Sequence, residues 1–483
     1  MARAGVWQAG SGSSAETPGR RASGSIREIP MDEDFDDLIE EGSANTEIKQ
    51  KALESNFGSL DIHDFEIFNQ ADEEAVEGEY TFAVKQQELK EAVSVTKFTV
   101  SSTNTRFGAV KITILPRGLK LSTFSQSSFS EIVIPLTEAG CPAVIKSDTP
   151  ISFVFDHSLL SNIVAKFQDP IIYFTYQPRA DESERGILNV DSYVKGESPL
   201  RTVHSTYPLT DFTNYHAKTG KIKGLPSIPI SPEVLRKGLN YANLFIKKND
   251  AYTALSVIEV RDGAVHSGFE GAIGVFKNPA FDFELKVKYE TKDIVEGMLG
   301  KFEGETRLTV TENYYIIRDL NLIFGFERCS YTFPSVEKLF NSKSETYARV
   351  NRDQLRNTLE RLSTASMNEN LLVEINISGE GSDGRITLST RDDYGRVSSH
   401  QLVAVRKAIE EGVSSTQYPD WVMHVNIHAF IDVVNHFKSE HVDLEQRISG
   451  QAILIHDVVS GDDVQTLISS LKPPKTVEKE HVE

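Results

Sequence analysis

Two cysteines and two tryptophans in 483 residues, and no apolar run long enough to span a bilayer, set the first limits on this chain. With only Cys141 and Cys329 a disulfide framework is excluded, and two thiols that both suit apolar surroundings fit a reducing compartment. The longest apolar stretches, such as residues 171–176, fall far short of the roughly 18 residues that span a bilayer. Residues 1–25 are rich in Gly, Ser, Ala and Arg where a secretory leader needs an apolar segment. The expected setting is therefore cytoplasmic, with no membrane contact. Basic residues are also in deficit, 51 Lys and Arg against 70 Asp and Glu, for a net charge of −19. Such a balance ordinarily argues against nucleic acid as a partner. The deficit is uneven, however: residues 1–79 hold six basic and nineteen acidic side chains, so the rest of the chain carries only −6. A local basic surface remains open there.

What the chain has in place of these features is internal repetition. Val350, Leu355 and Leu359 stand at offsets 0, 5 and 9, and the same offsets are filled by Val84, Leu89 and Val93 and by Ile230, Leu235 and Leu239. Offsets 5, 9 and 12 fall on one stripe of a helix, so each copy reads as the end of a strand followed by an amphipathic helix. A second helix repeats as well. Leu160, Ile163, Val164 and Phe167 match Val295, Met298, Leu299 and Phe302, and match Phe430, Val433, Val434 and Phe437, at offsets 0, 3, 4 and 7. The first-helix copies lie 146 and 120 residues apart, too far for a solenoid unit and right for domains. The expected organisation is an acidic disordered extension over 1–79, repeated units over 80–216, 217–343 and 344–471, and a tail over 472–483. Each unit is α+β, with two helices covering one face of an antiparallel sheet that continues into the next unit. An arc of such units leaves sheet edges at its ends, which a twofold partner closes into a ring.

Enzyme signatures are weak. The nearest approach to a phosphate loop, Gly297-Met298-Leu299-Gly300-Lys301-Phe302, lacks both the spacing and the hydroxyl. His428, Asp432 and His436 share a helix face at i, i+4 and i+8 and could in principle hold a metal, but a polar helix face beside a core stripe accounts for them. Asp392-Asp393 and Asp462-Asp463 sit beside glycines in turns. Asp319 and Glu327 have no clustered partner. No enzyme activity, cofactor or metal is expected.

The repeat count, helix order and linker placement over about residues 80–471 resemble the bacterial-type DNA polymerase sliding clamp, the β subunit. Thr332-Phe333-Pro334-Ser335-Val336-Glu337-Lys338-Leu339 is similar to the segment that ends that family's middle domain, and Ala348-Arg349-Val350-Asn351-Arg352 to the start of its last domain. The resemblance implies three clamp domains with sheets outside and helices inside, joined head to tail as a homodimeric ring around double-stranded DNA. It implies a non-enzymatic processivity factor that binds a replicative DNA polymerase and a clamp loader through short linear motifs. The divergence and the acidic extension suit a phage-encoded protein. The alternative is a structural or interaction protein, of viral or other origin, built from triplicated domains without DNA binding.

A clamp must attract phosphates without reading bases. Offset 6 of the first helix is basic in all three copies, Lys90, Arg236 and Arg356, about 95° from the centre of the buried stripe. Lys97, Lys247, Lys248 and Arg352 are further candidates, with Lys166 and Lys438 behind them. The family's partner groove maps onto Ile273, Pro334, Leu339, Leu467 and Ile468. Phe269-Glu270-Gly271-Ala272 replaces the family's Asp-Gly-His-Arg run before the groove leucine, and the chain continues twelve residues past Leu471. Ser59 to Phe65 loosely resembles a clamp-binding motif.

Overall fold

The computed structural model describes residues 80–471 except 101–107, 116–117, 136–150, 168–169, 179–184, 193–199, 208, 210–211, 213–224, 249–252, 270, 342–343, 366–370, 392–395, 410–419, 448–451 and 458–462. The acidic extension, the 59–65 stretch, the C-terminal tail, Cys141, Asp392, Asp393 and Asp462 thus lie outside the described residues. By its internal contacts the chain divides into Met1–Lys49 and Gln50–Glu483, and all described residues belong to the second unit. No helix among them is long and apolar enough to cross a membrane.

Six helices carry the repeated stripes: α1 (Gln86–Thr96), α2 (His157–Lys166), α3 (Pro232–Ala242), α4 (Lys292–Leu299), α5 (Arg352–Ala365) and α6 (Ile427–His436). Their starts are set locally. Asp156, Ser231, Asn351 and Asn426 each accept a backbone N–H from three residues on, at 2.7, 3.4, 3.0 and 3.0 Å, and so satisfy a donor that the first helical turn leaves unpaired. Pro232 fits the first turn of α3, where no N–H is needed. The apolar stripes are buried as their period requires: Leu89 and Val93, Leu235 and Leu239, and Leu355, Leu359 and Leu362 all belong to one continuous core. The helices pack in sequential pairs, α1 with α2, α3 with α4, and α5 with α6.

All pairings between named strands are antiparallel, in four sheets. An eight-stranded sheet runs, in spatial order, Ile151–Asp156, Ala109–Leu115, Gly118–Phe124, Ser128–Pro135, Leu322–Glu327, Tyr314–Arg318, Thr306–Val310 and Ser227–Ile230. A nine-stranded sheet runs Leu285–Lys288, Val257–Arg261, Ala264–Phe269, Ala272–Lys277, Asp463–Ser469, Ala452–Asp457, His441–Arg447, Ser344–Asn351 and Val405–Ala408. Two four-stranded sheets complete the set. One is Tyr80–Lys85, Ile171–Gln177, Ile187–Ser192 and Leu200–Ser205; the other is Val397–Val403, Arg385–Arg391, Leu372–Ser378 and Trp421–Asn426.

Sheets do continue between distant parts of the chain. Ser128–Pro135 pairs with Leu322–Glu327, and Ala272–Lys277 pairs with Asp463–Ser469. The expected single sheet per unit is replaced by two, because each helix carries the chain out of one sheet before the next strand begins. Thus Tyr80–Lys85 and Ala109–Leu115, on either side of α1, lie in different sheets. The aromatic rings of Phe153 and Tyr176, 4.4 Å apart and stacked, bridge two of these sheets.

Both junctions are also tied on the helical side. A Cβ on Gly297 of α4 would lie 2.4 Å from the Phe98 ring, so only glycine lets that ring close against the helix. The glycines set aside above as a failed phosphate loop thus serve packing. At the other junction the Tyr241 hydroxyl lies 2.5 Å from Thr466 Oγ1 and donates to the Gln465 carbonyl at 3.0 Å. Burial raises the Tyr241 pKa well above its ordinary value, so it stays a neutral donor.

Candidate nucleic-acid interface and partner groove

The basic positions of the first helices lie on the flank of each helix's buried stripe. Lys90 on α1 and Arg236 on α3 are exposed, as are Lys97, Lys247 and Lys248 at the ends of those helical segments. Arg236 leans toward the last turn of α4, where a Cβ on Gly300 would lie 3.1 Å from its Nη1. A cation suits that helix end, since the unpaired carbonyls there carry partial negative charge. Arg356 on α5 is more constrained. Its guanidinium lies 3.9 Å from both Asp353 and Glu360, and its side chain is 37% exposed. Arg352 differs in kind: its Nη1 donates to the Phe437 carbonyl at 2.6 Å, and its Nε and Nη2 donate to Asp353. It fastens the C-terminal end of α6 to the start of α5, and little of its hydrogen-bonding capacity is left for a phosphate. Lys247 sits 4.0 Å over the Phe269 ring, a cation–π contact that holds its ammonium in place while leaving it in solvent.

The groove residues divide between the two faces of the nine-stranded sheet. Ile273 and Leu467 are direct cross-strand partners, so they share a face. Phe333 lies over the same face, because a Cβ on Gly268 would meet its ring at 3.0 Å and Ile273 at 3.1 Å. Pro334 and Leu339 follow on the exposed side of that segment, with Leu339 48% exposed. Ile468 points the other way, since neighbours on a strand alternate, and it joins the helix-side core. There it lines a recess of about 180 Å³ with Leu244, Phe245, Phe269 and Ala272, closed on its other side by Asn426, His428, Ala429 and Asp432. Lys247 and Asp432 stand on opposite walls of the recess. It is held open partly by Phe245, whose ring occupies the space a side chain on Gly274 would need.

The segment bearing Phe333 and Pro334 is pinned from beneath by buried charge. Glu259, 4% exposed, accepts from Arg261 Nη1 and from the Phe333 N–H, both at 2.9 Å, and Lys286 Nζ lies 3.4 Å from its other oxygen. Arg261 reaches on to the carbonyls of Phe333 and Pro334 at 3.1 and 3.3 Å and to Glu337 at 3.2 Å. His266 lies on the same sheet face, and burial pushes its pKa down, so the ring is neutral there. Reading the sequence missed this network, although a lone glutamate inside Val257–Arg261 was a visible signal that a buried partner must exist.

His428, Asp432 and His436 do not converge. His428 and Asp432 face the recess, whereas the His436 ring packs 5.5 Å from the Tyr241 ring, and burial lowers its pKa. Among the described residues no group of three or more His, Cys, Asp or Glu side chains could hold a metal ion. Asp319 is a turn keystone. Burial lifts its pKa to about 6, while its carboxylate accepts the backbone N–H groups of Glu303, Asn321 and Leu322 at 3.0, 3.0 and 2.8 Å.

Solved structures with the same arrangement of sheets and helices include the DNA polymerase III subunit β from Pseudomonas aeruginosa. It superposes with a TM-score of 0.66 at 14% identity, over 81% of this chain and 100% of that one. The DNA polymerase sliding clamp from Bacillus subtilis gives 0.65 at 13% identity, and the DNA polymerase III β subunit from Thermotoga maritima 0.63 at 12%, each over 82% of this chain and 100% of the other. The fold is that of the sliding clamps. No protein-family model and no curated protein matches the sequence. The first helices carry Lys90, Arg236 and Arg356 at the same offset of the repeat, and the candidate groove residues gather where the second long sheet crosses from Ala272–Lys277 to Asp463–Ser469.

Proposed function

We propose that this protein is a DNA sliding clamp: a homodimeric, non-enzymatic ring of domains 80–216, 217–343 and 344–471 that encircles duplex DNA and tethers a replicative polymerase. The observation that carries the reading is the continuity of the two long sheets across both junctions, with paired helices whose exposed sides carry Lys90, Arg236 and Arg356. Such a surface attracts the phosphate backbone without reading bases, which is what sliding requires.

Two sheet edges support closure. Leu200–Ser205 and Val397–Val403 each end a four-stranded sheet, and they carry Val203, Val397 and Val403 at 62%, 57% and 64% exposed. Exposed apolar edge strands invite pairing. Head-to-tail pairing of the first edge with the second edge of another copy closes a ring of two chains and covers these valines. Ile273, Leu467, Phe333, Pro334 and Leu339 on one face, and the recess beside Ile468 on the other, supply the seat for linear motifs of the polymerase and the clamp loader.

Topological binding has a direct test. Loaded clamp is expected to stay on nicked circular DNA in 0.5 M salt through gel filtration and to leave within seconds once the circle is linearised. Equal loss from circular and linear DNA overturns the reading, because contact binding alone does not distinguish them.

A further inference from the structure

Both internal junctions join their strands in one register, which the repeat makes visible. Two residues ahead of the repeated Val84, Ile230 and Val350 stand Phe82, Ile228 and Ala348. Across the ladders Phe82 leads through Phe174 and Val190 to Thr202, Ile228 through Leu308 and Ile317 to Phe324, and Ala348 through Leu444 and Ile455 to Thr466. Thr202, Phe324 and Thr466 are therefore one position of the repeat. The other half of each unit is aligned by its second helix. Phe153 and Met423, seven residues ahead of Leu160 and Phe430, lead through Ile112 and Leu121 to Ile132 and through Ile375 and Leu388 to His400. In the middle unit, where the strand lies three residues further from its helix, Leu285 leads through Val260 and Val265 to Phe276. Ile132 pairs with Leu322, two residues before Phe324, and Phe276 pairs with Val464, two residues before Thr466. Equivalent positions thus meet at both junctions.

The equivalent strands that end the two four-stranded sheets, Leu200–Ser205 and Val397–Val403, have one neighbouring strand each among the described residues. In the same register His400 stands against Leu200 and, the strands being antiparallel, Val397 against Val203. At the internal junctions that second position is filled by Phe129, whose ring lies over Gly325, and by Ile273 opposite Leu467. Each is an apolar contact on the face away from the helices. Leu467 is 4% exposed, whereas Val203 and Val397 are 62% and 57% exposed in the single chain. The polar neighbours match as well. Thr202 falls opposite Ser398, and Arg201, whose Nε and Nη2 already donate to Asp191 at 2.7 and 2.9 Å, falls opposite the neutral Ser399. A slip of one residue would set the two valines on opposite faces of the sheet.

We propose that a second copy of this chain docks in the register of the internal junctions, with Val397 of the partner subunit directly against Val203, and that this pair is the apolar centre of each seam. The register rests on the ring reading given above and adds to it the residues that meet. Directly opposite side chains are the unit of stabilisation in an antiparallel pair, so the two valines cover each other while the hydroxyls of Thr202 and of the partner subunit's Ser398 face each other on the helix side.

Cysteine pairing on the full chain reads the register, because directly opposite positions come within disulfide reach and positions two residues further along the strand do not. The parent, which keeps Cys141 and Cys329, gives the background. Under mild oxidation a mixture of Val203→Cys and Val397→Cys proteins is expected to form a covalent dimer joined at the two substituted positions, at a yield at least about tenfold above a mixture of Val203→Cys and Ser399→Cys. Neither valine variant alone exceeds the parent. Val203→Lys is expected to abolish the dimer seen by sedimentation, and mixing it with Val397→Glu restores a dimer that neither variant forms by itself. Linkage through Ser399→Cys in preference, linkage by Val203→Cys alone, or no linkage in a parent that sediments as a dimer overturns the register while two copies stay in contact. A parent that sediments as a monomer at micromolar concentration overturns the ring reading and the register with it.

Discussion

Replacing Lys90, Arg236 and Arg356 together by glutamate is expected to weaken DNA binding about 100-fold at 0.15 M salt, with dimerisation unchanged. Each lost phosphate contact removes roughly 0.9 from the exponent with which binding falls as salt rises, so a ring of two variant chains, three contacts in each, loses up to about 5.4. The slope of affinity against salt is therefore the sharper readout than any single constant. The three positions are not equal. Arg356 already shares its charge with Asp353 and Glu360 at 3.9 Å, whereas Lys90 and Arg236 are exposed. Single reversals at Lys90 and at Arg236 should thus each exceed the reversal at Arg356. Reversal of Arg352 mainly loosens α5 from α6, through the lost bond to the Phe437 carbonyl. A triple variant with unchanged salt slope shows that the phosphates lie against another surface.

Glu259→Ala is expected to destabilise the protein by about 3 kcal/mol, the order found when one partner of a buried charge network is removed. It leaves Arg261 and Lys286 facing each other without their shared anion and strands the Phe333 N–H, which has only Glu259 as acceptor among the described residues. Glu259→Gln keeps an oxygen for that N–H and should cost about half as much. A shift in the urea midpoint reports the loss, and faster amide exchange at Phe333 reports where it falls. Peptide binding in the groove should weaken with it, because Phe333 and Pro334 are positioned by the same network. A variant within 0.5 kcal/mol of the parent, roughly the spread of neutral surface changes, contradicts that account.

The helices were legible because their period is local. Leu89 and Val93, or Leu355, Leu359 and Leu362, declare a buried stripe within four turns of chain, and each is at most 5% exposed. The groove was only half legible. Leu467 and Ile468 are neighbours, and strand alternation alone forbids both from lining one face, so the separation that the structure reports was implicit in the residues. The recess beside Ile468 was not implicit. It gathers Phe245, Phe269 and Asn426 from segments brought together by the pairing of Ala272–Lys277 with Asp463–Ser469, and long-range register has no local signature. Arg352 shows the same limit from the other side. Its sequence position suits a helix-face cation, and its partner, the Phe437 carbonyl, is 85 residues away. Gly297 was read as a failed nucleotide motif, and its role is visible only once Phe98 is placed against it.

Two copies of this chain are expected to close around DNA, and an electron-microscopy image of the purified protein shows whether they do. The expected image is a closed ring of six domains with an open centre that admits duplex DNA, seamed where Leu200–Ser205 of one copy meets Val397–Val403 of the other. Single chains or open-ended assemblies at micromolar concentration, with no closed pore, contradict it.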